Sequence, residues 1–177
     1  GASASACVDA DGFLRVVATT RCEPGTTDAW LLQLSQAGDL VSQACYGTAA
    51  LDEAGLDVDA KPGGGFVLAG SSAAPASSNP SCFMLELRPD GGIQREWTCG
   101  PGSDYSFTSM AVAASGDGGF VVAGDLDSTS SEDSTLALAK SGPSGRNDWT
   151  GTHGTGLSGE LTGVARTEDG GFVAAGS

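Results

Sequence analysis

Along this chain the apolar positions fall in short runs, each closed off by Gly, Pro, Asp or Ser, and the runs are rich in Val, Leu, Ala and scattered aromatics. No segment carries a 3.6-residue apolar stripe over three helical turns, so the runs read as β-strands. One of them returns at nearly fixed distance. Gly64-Gly65-Phe66-Val67-Leu68-Ala69-Gly70 recurs as Gly118-Gly119-Phe120-Val121-Val122-Ala123-Gly124 and again as Gly170-Gly171-Phe172-Val173-Ala174-Ala175-Gly176. The Phe positions are 54 and 52 residues apart, and Phe13, in Asp11-Gly12-Phe13-Leu14-Arg15-Val16, precedes Phe66 by 53.

The intervening segments repeat too. Asp28-Ala29-Trp30-Leu31-Leu32-Gln33-Leu34 corresponds to Ser81-Cys82-Phe83-Met84-Leu85-Glu86-Leu87 and, with a one-residue shift, to Ser134-Thr135-Leu136-Ala137-Leu138-Ala139. Each copy then meets a turn, at Gln36-Ala37-Gly38-Asp39, Pro89-Asp90-Gly91-Gly92 and Pro143-Ser144-Gly145-Arg146. Pro presets φ at the first corner of such a turn and Gly accepts the positive φ that closes it. A further short run follows and ends near Gly47, Gly100 or Gly154. A polar spacer then leads to Val58, Val112 or Val164, each eight residues before the next Phe.

One repeat therefore holds four short strands, and four antiparallel strands in a repeat of this length form the blade of a β-propeller. A β-sandwich would account for the strands but not for the fixed Phe spacing. Asp28-Ala29-Trp30-Leu31, Tyr46-Gly47, Asp52-Glu53-Ala54 and Asp117-Gly118-Gly119-Phe120-Val121-Val122-Ala123-Gly124 also carry a resemblance. They are similar to the secreted bacterial β-propeller repeats of consensus D-A-W-L-x-K-L-D, then T-Y-G, D-E-A and D-G-G-Y/F-x-V-A-G. The resemblance covers nearly the whole chain and implies a fold, not an activity.

The expected fold is thus all-β, with four-stranded antiparallel blades in a repeat of about 53 residues. The units run 1–50, 51–103 and 104–157, with a half blade at 158–177. The Phe-type pair occurs four times and the Trp30-type pair three times, about three and a half blades. Propellers close with four to eight blades, so this reads as part of a longer chain, or as two copies closing symmetrically. Gly1 is not an initiator Met, which fits a removed leader or a fragment.

Composition narrows the function classes. Lys and Arg number 8 against 22 Asp and Glu, a net charge of −14, and Gly is 28 of 177 residues. The field is wrong for nucleic acid, and no apolar run reaches the roughly 18 residues of a membrane helix.

Five cysteines, Cys7, Cys22, Cys45, Cys82 and Cys99, show no C-x-x-C spacing, and His153 is the sole histidine. Cys22 and Cys45 flank one outer strand pair and Cys82 and Cys99 the next, while the third repeat lacks both. Such paired presence and absence predicts disulfides Cys22–Cys45 and Cys82–Cys99 within blades. A two-residue turn at Asp90-Gly91 would face Cys82 with Cys99, whereas a three-residue loop with a bulge would shift the register by one. Reduced buried thiols are the alternative. Oxidised pairs place the chain outside the cytoplasm: extracellular, cell-surface or periplasmic. Cys7 is left over.

For chemistry, Asp125 and Asp127, with Glu132-Asp133, offer oxygen ligands for Ca²⁺ in a loop, although the twelve-residue calcium-loop pattern is absent and a solvated loop accounts for them. No other cofactor is expected. Asp57 and Asp59 share a strand face and could line an edge or an axial channel, where paired carboxylates would suit glycoside chemistry. Asp52-Glu53 lies in the spacer. His153 ends a strand with no visible nucleophile beside it, and no G-x-S-x-G elbow occurs. Trp30, Phe83 and Trp149 could stack sugars, but strand placement favours packing between blades. The expected function is a non-catalytic, extracellular or cell-surface scaffold or binding module, a segment of a larger assembly that meets a protein or glycan partner or self-assembles. The alternative is a carbohydrate-active hydrolase or lyase completed by further blades.

Overall fold

The structure, a computed structural model, describes residues 4–75, 80–99, 105–128, 134–153 and 160–177; the side chains of 97–99, 105–110, 127, 128 and 134 lie outside that description. Fourteen strands and no helix occur among the described residues. Strands β1 (Ala4–Val8), β2 (Leu14–Thr20), β3 (Asp28–Leu34) and β4 (Leu40–Tyr46) form the first sheet in chain order. Strands β5 (Asp52–Ala60), β6 (Phe66–Ala73), β7 (Ser81–Leu87) and β8 (Ile93–Cys99) form the second. The third comprises β9 (Tyr105–Ala114), β10 (Phe120–Ser128), β11 (Ser134–Ser141) and β12 (Asn147–His153). Strands β13 (Leu161–Arg166) and β14 (Phe172–Gly176) make a two-stranded fourth sheet. All pairings are antiparallel.

The turn between the first two strands recurs four times and explains the Gly-Gly pairs. In the second sheet Lys61 N–H donates to Gly65 O and Gly64 N–H to Lys61 O, with Gly64 at φ 87°. The same two bonds form at Ser115–Gly119 and Thr167–Gly171, and at Asp9–Phe13. That last turn corrects the sequence alignment. Gly12 carries the positive φ of 82° there, so Phe13 takes the slot of the second glycine and Leu14, the first residue of β2, takes the slot of Phe66. Turn geometry sets the register, and the nearby Phe side chain had drawn the alignment one residue early.

The final glycine of the motif has a different cause. The pairing of β5 with β6 slips between Gly55 and Asp57, that of β9 with β10 slips opposite Ala123/Gly124, and that of β13 with β14 slips between Leu161 and Gly163. Opposite these bulges the partner backbone closes in: a Cβ on Gly70 would lie 1.9 Å from Ala54 O, and one on Gly176 1.8 Å from Glu160 O. In the first sheet that slot holds Ala18, and β1 pairs with β2 from Ala4 to Val8 without a slip. Glycine appears where the bulge needs it.

The outer hairpins turn through three-residue loops, Gln36-Ala37-Gly38, Pro89-Asp90-Gly91 and Ser144 with its neighbours up to Gly145. A second slip follows each one, between Gln33 and Leu34, Glu86 and Leu87, and Lys140 and Ser141. The two offsets cancel, which is why Cys82 stands opposite Cys99 although the loop has three residues. The one-residue shift expected for the third repeat is present: Leu138, like Leu31 and Met84, sits three residues into the pairing with its second strand.

The sheets pack face to face. Val17, Ala29 and Leu31 of the first meet Phe66, Leu68, Phe83 and Leu85 of the second in one buried cluster. Val67, Ala69, Cys82 and Met84 of the second meet Val112, Phe120, Val122 and Ala137 of the third in another. The inner strands β6 and β7 of the second sheet thus bury both faces, and burying a side chain such as Phe66 or Leu68 stabilises the fold by about 1.5–3 kcal/mol. Arg15 joins the first interface with its guanidinium 4.3 Å from the Phe66 ring centre and an ion pair to Asp9 at 3.0 Å. Polar ties link outer strands to the next sheet's turn: Tyr46 OH donates to Gly91 O at 2.6 Å and Arg95 to Pro143 O at 2.8 Å. The first strands β1, β5, β9 and β13 lie side by side in succession.

Candidate functional site

The first strands enclose the densest cluster of candidate chemistry. Register makes Ser5 and Cys7 on β1 equivalent to Asp57 and Asp59 on β5, to Ala111 and Ala113 on β9, and to Gly163 and Ala165 on β13. Of these, Cys7, Asp57, Asp59, Ala113 and Ala165, with Arg166, border a cavity of about 420 Å³. The two carboxylates do share a face, as the alternation of β5 requires. They are not free, however. Asp57 Oδ2 accepts the Val112 N–H at 2.7 Å, and its Oδ1 accepts the Val58 N–H at 2.9 Å and the Ser5 hydroxyl. Asp59 accepts the Ala114 N–H and the Ala60 N–H, both at 2.8 Å.

The physical logic is edge capping. A first strand pairs on one side only, so its other side presents unpaired amides. The aspartates on β5 satisfy amides on their own strand and on β9, and so fasten the second sheet to the third where no ladder joins them. Burial pushes the Asp57 carboxyl above the usual range, against the lowering effect of its three donors. Burial, with Asp59 and Asp57 nearby, pushes the Cys7 thiol up to about 12, so it stays protonated and is a poor nucleophile.

The spacer carboxylates are likewise committed to loop amides. Asp52 accepts the Thr27 N–H at 2.8 Å, and Glu53, 1% exposed, accepts the Thr48 N–H at 3.2 Å. Asp28 accepts the Cys22 N–H at 2.9 Å. Together they fix the passage from the first sheet to β5. The Cys22–Cys45 disulfide is present, with a Cα–Cα distance of 6.4 Å. Cys82 is disulfide-bonded and fully buried, and its backbone stands opposite Cys99, whose side chain lies outside the described residues.

Of the two Ca²⁺ candidates, Asp125 is 8% exposed and accepts the Leu161 N–H at 3.4 Å, a tie between third and fourth sheets rather than a loop ligand. The side chain of Asp127, and Glu132-Asp133, lie outside the described residues. Among the described residues no three His, Cys, Asp or Glu side chains gather as a metal site would need. The aromatic trio is dispersed. Phe83 is buried between sheets, Trp30 is half-buried and bonds Gln43 at 3.1 Å, and Trp149, expected to pack between sheets, is 44% exposed.

Sequence reasoning missed a groove of about 660 Å³ between the third and fourth sheets. Leu136, Leu138, Lys140 and Trp149 form one wall, Phe172 and Ala174 the other, and His153 stands at one end. Trp149 on its edge was the available signal.

No protein-family model matches the chain, and no curated protein does. Among solved structures the chain is similar to one described as the tail fiber of Staphylococcus aureus phage P68, at 10% identity and a TM-score of 0.32, over 93% of this chain and 43% of that one. The chain therefore spans less than half the length of that protein. No helix among the described residues is long and apolar enough to cross a membrane, which says nothing of a β-barrel.

Proposed function

We propose that this chain is an arc of a β-propeller that serves as a non-catalytic scaffold or binding module outside the cytoplasm, at a cell surface or in the periplasm. Three complete four-stranded sheets and a two-stranded one, stacked face to face with their first strands gathered together, have the order of successive blades. The Cys22–Cys45 disulfide supports an oxidising compartment. The low content of Lys and Arg suits a surface that avoids anionic neighbours.

The observation that carries the non-catalytic reading is the use made of Asp57 and Asp59. A glycosidase needs two carboxyl groups facing a bond, one to give a proton and one to attack or to activate water. Here the two most centrally placed carboxylates hold backbone amides of β5 and β9. Recognition falls instead to the rims and turns, mounted on rigid strands.

The test is to incubate the wild-type chain with a panel of cell-surface glycans and peptidoglycan fragments, following both retention and product release. Retention of a glycan or surface protein without product is the expected result. Release of shortened or unsaturated sugars by wild type, lost on Asp59→Asn while the fold survives, would overturn the reading in favour of a hydrolase or lyase.

A further inference from the structure

The groove between the third and fourth sheets is less filled than the two corresponding interfaces, and their packing indicates what would fill it. On the third strand of each four-stranded sheet, two side chains point toward the following sheet: Ala29 and Leu31 on β3, Cys82 and Met84 on β7, Leu136 and Leu138 on β11. The first four are closed off completely, at 0%, 4%, 0% and 0% exposure. Leu136 and Leu138, the last such pair, are only half-buried.

What covers the first two pairs is the same element each time. Phe83 and Leu85 on β7 lie in the cluster with Ala29 and Leu31, and Ala137 on β11, with Ala139 beside it, lies in the cluster with Cys82 and Met84. In both cases the third strand of the next sheet does the covering. The fourth sheet has two strands, and β14 has no second neighbour among the described residues. Phe172, at the start of β14, is half-buried, whereas its equivalents Phe66 and Phe120 are 2% and 3% exposed.

We propose that the β14 edge and this groove form a docking site for an antiparallel β-hairpin of the outer-pair type shared by Asp28–Tyr46 and Ser81–Cys99. Its first strand pairs with β14 through the backbone, the mode of β-strand addition. Its apolar residues at the Phe83 and Leu85 positions seat against Leu136 and Leu138, and its second strand covers Trp149. Lys140 at the groove wall holds Asp117 and Asp148 at 2.7 and 3.0 Å, so it contributes no unpaired charge to the apolar floor. A second copy of the chain is a poor occupant, because each of its outer pairs is already built into a four-stranded sheet. The site rests on the blade geometry of the sheets and not on the absence of catalysis.

The experiment adds a disulfide-closed peptide of residues 21–47, carrying Trp30→Phe so that its fluorescence is silent; Phe is the residue at that slot in the second repeat. The bridge Cys22–Cys45 compensates for the marginal stability of a lone hairpin. Saturable binding, a blue shift of tryptophan emission that Trp149→Phe abolishes, and at least tenfold slower hydrogen exchange at the β14 amides are expected. Leu138→Asp, at a half-exposed position, should weaken binding at least tenfold while leaving the unfolding midpoint of the free chain nearly unchanged. Absence of binding at millimolar peptide, or protection confined to the outer edges of β4 or β12, would overturn the proposal. Either result leaves the glycan assay, and with it the non-catalytic reading, standing on its own.

Discussion

Replacing Asp57 by alanine tests whether the central carboxylates are fasteners between sheets. The side chain accepts the Val112 N–H across the sheet boundary at 2.7 Å and the Val58 N–H on its own strand at 2.9 Å. Hydrogen bonds to a charged acceptor each contribute about 1.5–3 kcal/mol. Two of them would give about 4 kcal/mol, but the carboxylate is itself partly desolvated, and its removal relieves that penalty. The expected net loss is about 2 kcal/mol in a urea unfolding series, with no change in slope. Asparagine does not rescue it, because its amide can turn only one acceptor toward the two amides and directs donors at the other. Residue-resolved hydrogen exchange separates this local mechanism from general damage. The Val112 amide should exchange about 10- to 150-fold faster, the equivalent of one lost bond, and Ala114, held by Asp59, should change less. The reverse pattern is expected for Asp59→Ala. Unchanged exchange at Val112, with stability within about 0.5 kcal/mol of wild type, would refute the idea that Asp57 caps the β9 edge.

The bulge reading makes Gly70 intolerant: Gly70→Ala drives a Cβ to 1.9 Å from Ala54 O, so a loss above about 3 kcal/mol or failure to fold is expected, whereas Ala18→Gly at the unbulged equivalent should cost about 1 kcal/mol or less by thermal melts. Cys7, with its thiol pushed up to about 12, should react with iodoacetamide at pH 8 at least about 30-fold more slowly than in urea; mass spectrometry of the alkylated chain reads this directly. The Lys140 ammonium, with Ser115 and the Gly119 amide, holds the Asp117 carboxyl far below its usual range. A depressed carboxyl contributes stability above its unfolded value near 3.9 and loses it as pH falls toward the folded value. The Tm difference between wild type and Asp117→Asn should therefore shrink from about pH 5 downward, and shrink in high salt because the pair is partly exposed.

Much of the fold was legible because its signals are local. A positive-φ glycine closing each turn, β-branched and aromatic runs between, and a repeated Phe fix strand number and order, since each depends only on neighbours in sequence. The two failures are also instructive. Phe13 was aligned with Phe66 by side-chain type, but the backbone counts from Gly12, and the hydrogen-bonded turn admits Phe in place of its last glycine. The paired slips of the outer hairpins left no mark a single sequence could show, because a bulge that restores register leaves apolar alternation nearly intact. A two-residue turn would face Cys82 with Cys99 and a three-residue loop would set them one residue off; the chain combines the three-residue loop with a compensating bulge and so restores the facing pair.

The candidate site was legible only in part, and the reason lies in what a carboxylate can face. Alternation puts Asp57 and Asp59 on one side of β5 from sequence alone, and a cavity does lie there. Whether that side meets solvent, a ligand or another strand depends on the sheet that arrives next, 55 residues away for both Asp57 with Val112 and Asp59 with Ala114. The other repeats carry Ser5 and Cys7, Ala111 and Ala113, and Gly163 and Ala165 in these slots. A catalytic pair and an edge clasp both predict carboxylates in one repeat alone, so sequence pattern cannot separate them. Geometry adds what their acceptor atoms hold: Val112 and Ala114 offer amides that water would otherwise have to satisfy inside a narrow space between strands. A buried edge amide without a partner costs about as much as the bond it lacks. The second repeat meets that cost with two aspartates, whose carboxylate oxygens accept the β9 amides and fasten the joint between sheets.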